Sequence, residues 1–403
     1  MPKNESIAVL RLDKQRGRSL SRRHPWLFSG AIESIDGEPG FGDTVDMVSS
    51  KGKFLARGAY SPRSQIRVRV WTFDQNEQID DDFFARRVAR AVVRRAVAGV
   101  PDIADAYRVV FSEADGLPGV IADRFGETIV VQIQSAGAEK HRDVIMDQLL
   151  KSTGCRRVYE RSDTESRQRE GLEKRTGVLA GDEPPARIEI MENGLRFAVD
   201  VRAGHKTGFY TDQRDNRALV RSLCHDAVVL DCFCYTGGFT ASALAGGAAS
   251  VAAVDTSTDA LALARSNVDL NDLPVSDCEF INGDVFEVLR EFDALGQQFD
   301  MVILDPPKLA VSRTDLDRAG RAYKDANMLA LRVLRPGGLL ATFSCSGSVD
   351  MATFQTFVSW AALAAGARPA LLQRLGQPAD HPVTLEFPEG EYLNGLLLRK
   401  DMP

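Results

Sequence analysis

Through the first 73 residues, apolar positions recur at every second residue within short runs. Ile7-Ala-Val-Leu10 is a short apolar strand, Thr44-Val-Asp-Met-Val48 alternates, and so does Gln65-Ile-Arg-Val-Arg-Val-Trp71. In that last segment Ile66, Val68 and Val70 share one side while Arg67, Arg69 and Trp71 share the other, the period-two pattern of a half-buried strand. Gly37 to Gly42 holds Pro39 and three glycines and reads as a turn. These signals predict a small β module over 1–73. A helical period follows. Phe83, Phe84, Val88, Ala91, Val92 and Ala96 form one face of a helix over 81–98, with Arg86, Arg87, Arg90, Arg94 and Arg95 elsewhere, until Gly99-Val-Pro101 stops it. Strands at 106–111, 120–122 and 128–133, a helix over 140–153 and a strand at 157–159 give a middle α+β domain over 74–186. Its tail, 161–186, is polar, carries Pro184-Pro185 and reads as an exposed linker.

From residue 187 the pattern changes again. Arg187-Ile-Glu-Ile-Met191 and Leu195-Arg-Phe-Ala-Val-Asp-Val201 flank Glu192-Asn-Gly194, and Asn-Gly between two such runs predicts a hairpin. A helix is expected over 212–224. Strands at 227–230, 250–254, 278–281, 301–304 and 338–343 are short and apolar throughout, each separated from the next by a helix-sized segment. Continuous apolar strands joined by helices mean a parallel sheet covered on both faces. Two later strands, near 368–375 and 393–398, are expected to finish it as an antiparallel edge. The fold class is therefore α/β: a doubly wound, Rossmann-like sheet over 187–403 behind a small β domain and a middle α+β domain. There is no internal repeat.

Composition narrows the function classes. Apolar residues make up 44% and charged residues 26%, as in folded soluble proteins. No run approaches the length of a membrane-spanning helix. Met1 to Arg11 lacks an apolar core and a cleavage site, so a cytoplasmic protein without a signal peptide is expected. Six cysteines in 403 residues are no disulfide framework, so a cysteine that matters here acts as nucleophile or ligand. The net charge of −6 hides an asymmetry: residues 1–73 hold 13 Lys+Arg against 7 Asp+Glu, and the remainder 37 against 49. Arg16-Gly-Arg-Ser-Leu-Ser-Arg-Arg-His-Pro-Trp26 concentrates it. Arg22, Arg23 and His24 beside the ring of Trp26 combine charge with a stacking surface, which suits RNA. A solvated basic surface is the alternative.

In a doubly wound sheet the ligand sits beyond the carboxyl ends of the strands. The first strand is followed by Asp231-Cys-Phe-Cys-Tyr-Thr-Gly-Gly-Phe239, where Gly237 and Gly238 permit close backbone approach. The second ends at Asp255, placed to hydrogen-bond a ribose diol; the third leads to Gly283-Asp284 and the fourth to Asp305-Pro-Pro-Lys308. An Asp after a strand also serves as turn former or helix cap, but four in register point to a ligand. The first loop lacks G-x-G-x-x-G, and a pyrophosphate would be poorly served by carboxylates. A ligand with a ribose, an adenine and a cationic amino-acid group fits better: S-adenosylmethionine.

Thr342-Phe-Ser-Cys-Ser-Gly347 follows the fifth strand, so Cys345 projects from the same edge beside the Asp305 loop. A thiolate there has a use. Carbon 5 of a pyrimidine is a poor nucleophile until a thiolate adds to C6. Cys345 is therefore the expected nucleophile and Asp305 the acid at the N3 side of the base; packing as a small buried hydrophobe is the rival reading of the cysteine. Cys232 and Cys234 form a C-x-C with no second pair to complete a metal site, and no metal is expected. His205, in Gly204-His-Lys-Thr-Gly-Phe-Tyr210, is left with two readings: closing over a cofactor, or satisfying local backbone.

The chain resembles the bacterial class I methyltransferases that make 5-methylcytosine in 23S ribosomal RNA. The likeness rests on Gly204-His-Lys-Thr-Gly-Phe-Tyr-Thr-Asp-Gln-Arg-Asp-Asn-Arg217, the 231–239 loop, Val254-Asp-Thr-Ser257, Asp305-Pro-Pro-Lys308, the 342–347 segment, Ala379-Asp-His-Pro382 and Pro388-Glu-Gly390. It implies an RNA-binding PUA domain at 1–73, a middle domain, and a methyltransferase domain at 187–403. It makes Tyr210, Gln213, Asp231, Tyr235, Asp255 and Asp284 cofactor contacts. The motif loops add Phe233, Thr236, Gly237, Gly238, Thr256, Ser257 and Asp305 to that set, with Pro306 and Lys308 on the base side. Family members are similar in carrying their one motif cysteine after the fifth strand, an arrangement shared with RNA uracil-C5 methyltransferases. Cys232 and Cys234 depart from the family's first loop. The partner implied is 23S ribosomal RNA, without a membrane, and a homodimer is left open. The rivals are another base position, uracil C5 or an exocyclic amine, and an RNA-binding assembly factor with a vestigial enzyme fold. Lys308, where an amine-directed enzyme carries an aromatic, and the intact acids and Cys345 count against them.

Overall fold

The computed structural model describes residues 7–14, 17–310 and 313–401. The first six residues of the basic module, Arg16 of the basic run and the last two residues of the chain lie outside the described residues. The chain divides into two compact units. One comprises Met1–Ile190, Val199–Thr211 and Ala379–Gly390, the other Met191–Ala198, Asp212–Pro378 and Glu391–Pro403. Among the described residues no helix is long and apolar enough to cross a membrane.

The first unit holds two sheets. Six strands run in the order Trp26–Phe28, Ile66–Thr72, Phe54–Tyr60, Thr44–Val48, Ala8–Leu12, Ile32–Asp36. Three of them escaped the sequence pattern for physical reasons. Phe54–Tyr60 is buried along most of its length and so does not alternate, Ile32–Asp36 is an exposed edge, and Trp26–Phe28 has only three residues. The second sheet has five strands, Arg175–Ala180, Arg157–Ser162, Thr128–Ile133, Val120–Phe125 and Ala106–Phe111. A helix over Asp81–Val97 covers it, capped by the Asp80 carboxylate, which accepts from Phe83 N.

Two expectations are corrected here. The 161–186 segment is not an exposed linker: it contains a helix over Glu165–Arg169 and the strand Arg175–Ala180, which pairs with Arg157–Ser162. Its polar composition misled because three of its charged residues, Arg161, Arg167 and Glu170, are buried. Arg167 is 1% exposed and donates to Ile133 O at 2.7 Å and to Glu139 Oε2 at 2.8 Å. Likewise Arg95 lies on the buried face of its helix, where Nη1 meets Asp115 Oδ1 at 2.8 Å and Nε donates to Arg108 O at 2.8 Å.

The second unit is built on seven strands. In chain order its elements are helix α1 (Arg214–Leu223), strand β1 (Val228–Cys232), α2 (Gly238–Ala245), β2 (Ser250–Asp255), α3 (Thr258–Leu270), β3 (Cys278–Asn282), α4 (Val285–Leu295), β4 (Phe299–Leu304), α5 (Leu316–Val333), β5 (Leu334–Ser344), α6 (Met351–Ala365), β6 (Ala370–Gly376) and β7 (Asn394–Arg399). The sheet order is β3-β2-β1-β4-β5-β7-β6. Strands β1 to β5 are parallel, whereas β7 pairs antiparallel with both β5 and β6, the expected edge. Leu230, Val254, Val302, Leu304 and Leu340 of the sheet share one core with α4, α5 and α6. The order reverses between β1 and β4, and in sheets of this kind a ligand binds beyond the carboxyl ends of the strands at that switch point.

Candidate active site

The acids stand where the strand pattern puts them. Asp231 is the penultimate residue of β1, Asp255 ends β2, Asp284 lies just past β3, and Asp305 follows β4. Cys345 follows β5, which is paired in register with β4 through Leu304 and Thr342. The sheet therefore carries all five to one edge.

The loop after β1 is held against its own backbone preferences. Phe233 and Tyr235 adopt φ of 63° and 48°, a region that costs a non-glycine residue of order 1 kcal/mol. Hydrogen bonds over-determine it: Cys234 N donates to Val254 O at 3.0 Å, Tyr235 N to Asp255 Oδ2 at 2.9 Å, and Asn267 Nδ2 to Thr236 O at 2.9 Å. Asp255 also accepts from Ser257 N through Oδ1 at 2.9 Å, so its carboxylate ties the first acidic loop to the second. Gly237 has φ of 76°, and a Cβ there would meet Ala264 Cβ of α3 at 2.8 Å; one at Gly238 would meet Arg217 Cδ at 3.1 Å. The close approach these glycines permit is to α3 and α1. Arg217 in turn pairs bidentately with Glu192, both bonds 2.7 Å and both side chains buried. Phe233 meets Phe286 edge-on at 6.3 Å.

Among the buried polar atoms left over in the described residues, two belong to expected cofactor contacts. Asp231 Oδ2 accepts from Thr240 Oγ1 at 2.6 Å, but Oδ1 has no hydrogen-bond partner. Gln213 Oε1 accepts from Asn216 Nδ2 at 2.6 Å, but Nε2 has none. An orphaned buried acceptor and donor call for a ligand with a donor and an acceptor of its own, and the charged amino-acid end of S-adenosylmethionine has both. Burial, with the Asp305 and Asp255 charges added, pushes the Asp231 carboxyl up to about 7. The folded chain thus holds a proton that the unfolded chain releases near 3.8. Stability without cofactor should fall as pH rises from about 4 to about 7, and the penalty should be complete above that. Asp231→Asn should flatten this part of the profile in thermal melts; equal slopes for the two proteins would remove Asp231 as the cause.

Ser257 and Asp284 have capping duties as well. Ser257 Oγ accepts from Ala260 N at 3.2 Å, and Asp284 Oδ1 accepts from Phe286 N at 2.8 Å. Thr256 and Asp284 are exposed, and Asn282 Nδ2 holds Thr256 O at 2.9 Å. Pro306 is buried and Lys308 exposed. Cys345 is half-buried, with Sγ 3.8 Å from Pro306 O. The other five cysteines are buried. Burial pushes the Cys224 and Cys278 thiols up to about 12, and raises those of Cys232 and Cys234, where Asp231 adds to the effect. Cys345 stands apart from them in its exposure.

Four expected contacts lie in the first unit. Tyr210 is on its 199–211 segment, with Lys206 Nζ 4.2 Å from the ring centroid and His205 Nδ1 3.4 Å from its hydroxyl. Arg161 donates to Val201 O and Gly204 O, both at 3.0 Å, and Thr207 Oγ1 to Asp123 Oδ2 at 2.6 Å, so this segment is fixed from within its own unit. Arg22 and Arg23 are exposed. Trp26 is half-buried: its indole N–H donates to Glu113 Oε1 at 2.7 Å, Arg69 lies over its ring at 5.5 Å, and Phe387 packs edge-on at 4.8 Å.

Sequence reasoning missed Thr240 and Asn267. A signal for Asn267 existed: it lies on the α3 face made by Ala260, Leu263, Ala264 and Val268, where a polar residue needs a partner. Thr240 had none, since an early-helix Thr is unremarkable.

Comparison with known proteins agrees with this geometry. Residues 10–73 match the model of a PUA-like domain, and residues 167–383, more than half of the chain, match that of an S-adenosylmethionine-dependent methyltransferase. The ribosomal RNA large subunit methyltransferase I of Pseudoalteromonas atlantica is 52% identical over 384 residues, 95% of this chain and 97% of that protein. That of Klebsiella pneumoniae (strain 342) is 49% identical over 388 residues, 96% of this chain and 97% of that one. The solved structure of a candidate S-adenosylmethionine-dependent methyltransferase from Streptococcus mutans shares the fold, with a TM-score of 0.83 at 20% identity, over 97% of this chain and 99% of that chain. The sheet order, the row of acids and this whole-length similarity place the chain in the ribosomal RNA large subunit methyltransferase I family of S-adenosylmethionine-dependent enzymes.

Proposed function

We propose that this chain forms 5-methylcytosine in 23S ribosomal RNA, with Cys345 as the nucleophile at C6 of the cytosine and Asp305 at the N3 side of the base. The observation that carries the reading is the position of Cys345. It is the one cysteine of six that is not buried, and it stands at the ligand edge beside the Asp305 loop. Bound S-adenosylmethionine supplies a methyl group on a cationic sulfonium. Asp231 and Gln213 would hold its amino-acid end and Asp255 its ribose hydroxyls. Phe233, Tyr235, Thr236, Thr256, Ser257 and Asp284 would complete the cofactor site. The Cys345 thiolate adds to C6, and the electron pair displaced from the C5–C6 double bond moves through C4 to N3, where Asp305 in its protonated form would donate a hydrogen bond. Carbon 5 is then enamine-like and takes the methyl group. Transfer of the C5 proton to water and elimination of the thiolate restore the aromatic base and the Cys345 thiolate. Pro306 and Lys308 line the base side of the site. Every residue used lies on this one chain, so the reading does not need a homodimer. The test is a nucleotide-resolution map of 5-methylcytosine in 23S ribosomal RNA from cells carrying the wild-type chain, Cys345→Ala or neither. One cytosine should be marked only with wild type; a mark on a uracil or an exocyclic amine would move the target, and no difference would refute the reading.

In the same reading, 1–73 grips RNA phosphate, 74–186 is the middle domain and 187–403 performs the transfer. Arg22 and Arg23 are the exposed contacts of the basic module. Replacing both by Ala should weaken RNA binding and make the slope of log affinity against log salt shallower by about 1 to 2. Cofactor affinity should not change. An unaltered slope would take these arginines off the RNA path.

A further inference from the structure

The nucleophile proposed above is flanked by serines, and both meet one buried side chain. Tyr323 of α5 is 0% exposed. Its hydroxyl lies 2.8 Å from Ser344 Oγ and 3.2 Å from Ser346 Oγ. The ring is fixed as well: Phe354 packs edge-on at 5.4 Å, Phe357 stacks at 6.2 Å with an interplanar angle of 11°, and a Cβ on Gly320, one turn earlier, would collide with Phe357 at 2.8 Å. Ser346 Oγ also accepts from Ala310 N at 3.2 Å. Ala310 lies five residues beyond Asp305 in the loop that follows β4. One hydroxyl group thus ties the turn that carries Cys345 to the loop that carries Asp305, and Tyr323 anchors that hydroxyl to the helix layer.

We propose that Tyr323, acting with Ser344 and Ser346, is a positioning residue that sets Cys345 Sγ against the Asp305 loop for attack on C6. The inference rests on the covalent reading of Cys345. Burial raises the Tyr323 hydroxyl above its ordinary range, so it stays protonated and serves as a donor. Its place in the core gives it no path to the base, so its influence passes through the two serines. Attack by a positioned group is sensitive to displacements of about 1 Å, which cost on the order of a hundredfold in rate.

Tyr323→Phe removes the hydroxyl and keeps the ring, and Ser346→Ala removes the hydroxyl that links the two loops. Each variant should fold, with cofactor affinity by calorimetry and RNA affinity unchanged within about twofold. With RNA bearing 5-fluorocytosine at the target, the rate of covalent trapping should fall tenfold or more in each. The kcat on ordinary RNA should fall in the same proportion at constant KM. A merely structural role would instead lower stability and leave the trapping rate of the folded fraction unchanged. Trapping by both variants at the wild-type rate would overturn the clamp and leave the covalent reading intact. No trapping by wild type, together with methylation by Cys345→Ala, would overturn the covalent reading and the clamp with it.

Discussion

Cys345→Ala should lower methyl transfer by roughly a thousandfold or more, with cofactor and RNA affinities within about twofold of wild type. The reason is what the sulfur does. In the resting protein Sγ is 3.8 Å from Pro306 O and half-buried, so its removal costs little in packing or in ground-state binding. Its bond to C6 forms only on the way to the transition state, and loss of such an interaction lowers kcat without raising KM. The neighbouring thiols offer no substitute. Cys232 and Cys234 are buried, and burial with the Asp231 charge holds them protonated. Cys345→Ser keeps the volume but replaces the thiol with a far weaker nucleophile, and should be nearly as inactive. Methylation assays on target RNA with labelled cofactor read both. Substantial turnover by Cys345→Ala would exclude covalent catalysis and point to an amine or another carbon.

Asp255→Ala should weaken S-adenosylmethionine binding by about 1.5–3 kcal/mol, the range for hydrogen bonds to a charged group, or about 10- to 100-fold in Kd. The structure sharpens this. Both carboxylate oxygens already accept backbone N–H groups, Oδ2 from Tyr235 and Oδ1 from Ser257. Losing them releases Tyr235, whose φ of 48° needs support, and loosens the loop that carries Phe233 and Thr236. Asp255→Asn should therefore lose nearly as much as Ala, because its amide nitrogen must face one of those two donors. Calorimetry with the cofactor, on variants shown to be folded by thermal melting, measures it. Unchanged affinity in a folded Asp255→Ala protein would remove Asp255 from the cofactor site.

The reach of sequence reasoning differed from region to region for identifiable reasons. The Rossmann-like unit was legible because its strands are buried on both faces and end in acids, a pattern that needs no partner elsewhere in the chain. Its antiparallel edge was legible from two apolar runs alone. The 161–186 segment was not, since Arg167 and Glu170 look like solvent-facing charges until Ile133 O, Glu139 and Arg69 are brought to them. The packing of Trp26 was hidden for the same kind of reason: Phe387 and Glu113, which hold the ring and its N–H, lie far away in sequence. Within the site, the acids and Cys345 could be named because each follows a strand. The groups that hold them, Thr240, Asn267 and Tyr323, lie on helices, and only the fold shows that their polar ends reach the loops.

The central claim is that Cys345 bonds to C6 of a ribosomal RNA cytosine. Wild-type protein, cofactor and target RNA bearing 5-fluorocytosine should stall as a covalent complex, since fluorine blocks the final elimination. Digestion and mass spectrometry of that complex should place a methylated 5-fluorocytosine nucleotide on the peptide containing Cys345, with none from Cys345→Ala. An adduct on another cysteine, or full turnover with no adduct on any, would contradict the account.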